Sequence, residues 1–77
     1  MDPANLVHMA NQIGEFFAAL PDPEQAREGV ATHLCRYWAP RMRLQLLAQL
    51  DRGEVEGLSQ LVRDALVRHR AKLEPTT

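Results

Sequence analysis

The stretch Arg36-Tyr37-Trp38-Ala39-Pro40-Arg41-Met42-Arg43 decides how this chain folds. Pro40 has no backbone N–H and disfavours helical geometry at Ala39. A helix arriving from the N-terminal side therefore ends at Trp38, and a new one starts almost at once. The same eight residues carry the only Trp, the only Tyr and three of the nine basic side chains. No Asp or Glu lies between Gly29 and Leu50, so this is the one place where charge is segregated.

Upstream, two helices are expected. Asp2-Pro3 supplies an N-cap acceptor followed by the residue best tolerated at the first helical position. Leu6, Met9, Ile13, Phe16, Phe17 and Leu20 then recur in steps of three and four, marking one apolar face. Phe16 and Phe17 diverge by about 100° around the helix, which places one of them at the core margin. Gly14 costs about 1 kcal/mol against alanine in mid-helix, which close approach of another helix would explain. Pro21-Asp22-Pro23 stops this helix and caps the next, which runs to Trp38 with Ala26, Val30, Leu34 and one of Tyr37 or Trp38 inward.

Downstream, Met42, Leu46 and Leu50 form one stripe of a third helix, widened by Leu44 and Leu47, with Gly53 as its C-terminal cap. Residues 54–57 read as a linker. A last helix is expected from Ser59 to about Lys72, its stripe Leu61, Val62, Ala65, Leu66 and His69, with residues 73–77 as a frayed tail. The reading is all-α: one domain of four helices over residues 1–77, with short, proline-marked connections.

Composition narrows the function. At 77 residues, burial and the cost of ordering the chain nearly cancel, so docking on a partner would add needed stability. A net charge of −1 argues against a general nucleic-acid binder. No apolar run approaches the ~20 residues of a membrane span. A single cysteine, Cys35, excludes an internal disulfide and suits the reducing cytoplasm. His8, His33, His69 and Cys35 lack the i, i+4 spacing of a helical ligand pair, so neither a metal site nor a catalytic residue is expected.

The corner is different. Arg41 and Arg43 fall in the first turn of the third helix, where the positive end of the dipole disfavours cations by about 0.3–1 kcal/mol. Trp, Tyr and Arg are the residue types enriched at binding hot spots. Trp38 is therefore expected to anchor a partner, with Tyr37, Arg36, Arg41 and Arg43 around it and Phe17 adding apolar contact; the alternative is a purely structural corner, its arginines paired with distant acids such as the Glu24-to-Glu28 face.

Two segments resemble a known family. Leu6-Val7-His8-Met9-Ala10-Asn11-Gln12-Ile13-Gly14-Glu15-Phe16-Phe17 is similar to the opening of the delta subunit of soluble NAD-dependent formate dehydrogenase. Trp38-Ala39-Pro40-Arg41-Met42-Arg43 resembles that family's W-x-P-R-M-R core, and the segment from Gly57-Leu58-Ser59 to Arg68-His69-Arg70 resembles its third region. The family pattern has an acid where this chain has Ala39, a basic residue at Cys35 and a proline at Gln60. The resemblance implies a non-catalytic accessory subunit docking on the catalytic alpha subunit of a cytoplasmic complex. There, other chains carry the molybdenum bis-pyranopterin, iron–sulfur clusters, FMN and NAD site, and this chain binds no cofactor. The rival readings are a transient assembly chaperone for cofactor insertion and a small regulator binding RNA or an acidic protein.

Overall fold

The computed structural model describes residues 2–75. Five helices follow one another: α1 Pro3–Phe17, α2 Pro23–Tyr37, α3 Pro40–Arg52, α4 Gln60–Arg68 and the single-turn α5 Arg70–Leu73. Among the described residues there is no strand. The outline is all-α as expected, with four principal helices and one extra turn.

Local chemistry sets the helix ends. Proline opens α1, α2 and α3, where its missing N–H is one the helix could not use anyway. Asp2 and Asp22 each accept the backbone N–H two residues on, and Ser59 accepts that of Val62, capping α1, α2 and α4. Gly53 closes α3 at φ 74°, a left-handed conformation that favours glycine.

The core draws on every helix and on the α3–α4 connection. It gathers Leu6, Val7 and Ala10 with Val30, Leu34, Trp38, Leu46 and Leu47, and with Val55, Leu58, Val62, Ala65, Leu66 and Leu73. α2 makes its broadest contacts with α4 and α1. Gly14 permits close approach of α1 to α4: a Cβ there would lie 2.7 Å from Val62 Cγ2. Asn11 ties α1 to the α3–α4 connection. Its Nδ2 donates to the Gly57 carbonyl at 2.9 Å, and its Oδ1 accepts the Ser59 N–H at 2.9 Å.

Several sequence expectations need correction. Helix one ends at Phe17, and its buried face is Leu6, Val7, Ala10 and Gly14, leaving Phe16 and Leu20 exposed. In α3, Leu44 points to solvent while Gln49 is fully buried. Gln49 Nε2 reaches the carbonyls of Pro3 and Glu54 at 3.3 and 3.4 Å, which holds the start of α1 to the end of α3. The segment read as a linker contributes Val55 to the core. The terminal helix breaks at His69, whose φ and ψ are −110° and 27°. The break turns α5 back so that Leu73, assigned to a frayed tail, is fully buried. Thr76 and Thr77, also assigned to that tail, lie outside the described residues.

Candidate functional site: an exposed aromatic row beside the helix corner

At the 36–43 corner the structure divides the six expected contact residues into two groups. Trp38 goes inward. Its side chain is 7% exposed and belongs to the core, so the expected surface anchor is a packing residue instead. The cause is geometric: Trp38 is the C-cap of α2, with extended backbone (φ −92°, ψ 138°), and leaving the helix turns its side chain off the Tyr37 face. Tyr37, one residue earlier, is 70% exposed.

Arg43 also turns inward. Its Nε donates to the Leu73 carbonyl, and its Nη1 to the carbonyls of Cys35 and Trp38, all at 3.0 Å. These acceptors belong to the ends of α2 and α5, where carbonyls lack partners within the helix and carry the negative end of the backbone dipoles. A search for acidic side chains overlooks this source of negative potential. Arg43 therefore has internal compensation and locks three segments together. Arg41 and Arg36 are exposed, and neither side chain has a hydrogen bond or ion pair among the described residues.

The remaining residues meet on the other side of α2. Phe17, Arg36 and Tyr37 line one shallow groove of about 300 Å³ with Gly29, Thr32 and His33. Its three rings, with Phe16 next to Phe17, form a row. Phe16 meets Phe17 edge-on, with centroids 5.0 Å apart and planes at 86°. Phe17 faces His33 at 6.2 Å, and His33 lies 4.7 Å from Tyr37. Such offset and edge-to-face pairs match the ring quadrupoles and hold the side chains in place. Gly29 is what admits Phe17: a Cβ there would sit 2.4 Å from Phe17 Cδ1.

Phe16 and His33 are the site residues that sequence reasoning missed. A readable signal existed, since Gly29, His33 and Tyr37 recur every fourth residue along one ridge of α2. At the ends of the row, Phe16 is 74% and Tyr37 70% exposed. A ring can bury roughly 150–250 Å². Two rings left this open, next to two more at the margin, form an exposed apolar patch, the kind of feature that makes this row the candidate site.

Chemistry elsewhere is sparse. Among the described residues, no three His, Cys, Asp or Glu side chains cluster as metal ligands. The Cys35 thiol lies 3.7 Å from the Lys72 carbonyl, to which it donates. Among the described residues no helix is long and apolar enough to cross a membrane.

Fold and site together define a small all-α chain with an exposed aromatic row along α2. Its sequence specifies the family: residues 5–66 match the NADH-dependent formate dehydrogenase delta subunit, FdsD, and the chain belongs to that family. Comparison with curated proteins and with solved structures gave no significant match.

Proposed function

We propose that this chain is a non-catalytic accessory subunit that docks on the catalytic alpha subunit of an NAD-dependent molybdenum formate dehydrogenase and supports assembly or stability of the complex. The observation that carries this reading is the row Phe16, Phe17, His33 and Tyr37, exposed at both ends in a chain whose only Trp is used internally. Arg36 lies at the Tyr37 end of the groove with no partner of its own and is the cation that would meet acceptors on the catalytic subunit. Trp38 and Arg43 support this face indirectly, by holding the corner from which α2 presents Tyr37.

In this reading the molybdenum bis-pyranopterin, iron–sulfur clusters, FMN and NAD belong to other chains of a cytoplasmic complex, and formate oxidation takes place on them. The family supports it, because FdsD is a delta subunit by description.

Burying an aromatic hot spot at a protein interface is typically worth ~2 kcal/mol or more, about thirtyfold in affinity. The doubly substituted Phe16→Ser/Tyr37→Ser chain should therefore be depleted from the purified complex. Its own melting temperature should stay close to wild type, because both positions are on the surface. A variant that co-purifies stoichiometrically refutes the docking face. A wild-type chain that associates only with immature enzyme refutes a permanent subunit and supports a transient chaperone.

A further inference from the structure

A second surface lies on the opposite flank of α2, against α4. Arg27, Arg63, Asp64, Val67 and Arg68 line an open cleft of about 360 Å³. Its donors outnumber its acceptors. Glu24 at the rim serves two arginines at once, meeting Arg27 Nη2 at 2.9 Å and Arg68 Nη2 at 3.2 Å. The Arg27 hydrogen bond leads in holding the Glu24 carboxyl below its ordinary range, and Arg68 adds to it. Asp64 is taken by the Gln60 amide at 2.7 Å. The Arg63 side chain has no hydrogen bond or ion pair among the described residues, and Arg27 Nε is buried without an acceptor. Three guanidinium groups against two carboxylates leave one positive charge and a deficit of acceptors.

The centre of the cleft is apolar: Val67 is 64% exposed between the arginines. A free oxyanion would satisfy the arginines but leave the valine in water. A carboxylate beside an aliphatic group, as on a protein segment, covers both. An apolar centre with arginine around it is also the ordinary anatomy of a protein–protein contact.

We infer that the α2–α4 cleft is a second docking surface, which takes an acidic segment of a neighbouring subunit, its carboxylate on Arg63 and Arg68 and an adjoining aliphatic side chain on Val67. The inference rests on the reading of the chain as a docked subunit and adds a contact distinct from the aromatic row. With both flanks of α2 engaged, the chain would be held between two acceptor surfaces. The cleft contact is mainly electrostatic and screened by salt, whereas the aromatic contact, with Arg36 as its one cation, depends on salt less.

The test uses the assembled complex, held through another subunit, with release of this chain followed at increasing sodium chloride. Variants are Arg63→Glu, Arg63→Gln and Phe16→Ser/Tyr37→Ser. The Arg63 side chain makes no hydrogen bond or ion pair among the described residues, so its replacement should cost little stability, which the melting curve of the isolated chain checks. Arg63→Glu places like charges together and should speed release by about tenfold or more, with a flatter salt dependence. Arg63→Gln should fall between it and wild type. The isolated chain titrated with inorganic phosphate should show no saturable binding. Release of Arg63→Glu at the wild-type rate and salt slope overturns the inference, as does saturable phosphate binding that Arg63→Glu abolishes. If the aromatic variant leaves while Arg63→Glu stays, the cleft proposal alone fails. If Arg63→Glu leaves while the aromatic variant stays, the cleft stands and the aromatic face falls.

Discussion

Replacing Arg43 with methionine tests whether the helix corner is built from inside. The substitution keeps the aliphatic stem and removes the guanidinium that donates to the carbonyls of Leu73, Cys35 and Trp38, each at 3.0 Å. A hydrogen bond from a charged donor contributes about 1.5–3 kcal/mol, and an abandoned buried acceptor costs about 1–3. Three such bonds would sum to more than 4 kcal/mol at the lower figure. They share one side chain and are only partly buried, so water recovers part of the loss and the terms do not add. A destabilisation of about 3 kcal/mol follows. For a domain of this size that lowers Tm by roughly 12–24 °C, at about 4–8 °C per kcal/mol. Urea denaturation followed by circular dichroism gives the free energy directly. Arg43→Lys should lose less, because the ammonium keeps the charge but cannot span three acceptors. Arg41→Met, two residues away and exposed, should stay within about 0.5 kcal/mol of wild type. Equal effects at Arg41 and Arg43, or an Arg43→Met chain as stable as wild type, would refute the reasoning.

Other perturbations separate core from surface. Trp38→Ala removes a core ring and should destabilise the isolated chain by about 3–5 kcal/mol, measurable by urea denaturation without any partner. Gly14→Ala gains about 1 kcal/mol of helix propensity but forces a methyl to 2.7 Å from Val62 Cγ2. Separating α1 from α4 should win, giving a net loss of about 1–2 kcal/mol in the same assay. Asp51 accepts a two-pronged contact from Arg70 at 2.8 and 2.7 Å, and that hydrogen bonding lowers its pKa from the ordinary 3.8. A carboxyl with a depressed folded-state pKa adds stability above its unfolded value and loses it as pH falls through the folded one. Asp51→Asn should therefore cost stability at neutral pH and show a shallower fall below about pH 4 than wild type, seen in Tm measured against pH.

How much of this was legible beforehand depends on the kind of interaction. Helix starts were readable because Asp2-Pro3, Asp22-Pro23 and Pro40 act locally, through a cap and a fixed φ. The α2 core positions Ala26, Val30 and Leu34 followed from the helical period. The outward turn of Tyr37 and inward turn of Trp38 did not, because the backbone leaves the helix between them and the period stops applying. The burial of Leu73 depended on the break at His69, which has no Gly or Pro to announce it. Arg43 looked uncompensated because its partners are main-chain carbonyls from segments 5, 8 and 30 residues away, which carry no signature in a list of side chains. The role of Asn11 was hidden for the same reason, since its partners are main-chain groups 46 and 48 residues ahead. In the candidate site, Phe17, Arg36 and Tyr37 were chosen by residue type, while Phe16 and His33 joined them through packing across two helices.

The measurement closest to the central claim is hydroxyl-radical footprinting of this chain, alone and within the assembled formate dehydrogenase. Aromatic rings react readily when exposed, and the structure supplies its own internal reference. In the isolated chain, Phe16 and Tyr37, at 74% and 70% exposure, should be oxidised quickly, and Trp38, at 7%, slowly. Assembly should protect Phe16 and Tyr37 severalfold and leave Trp38 unchanged. Phe16 and Tyr37 oxidised as fast in the complex as in the free chain would contradict the account, since the aromatic row would then face solvent in both.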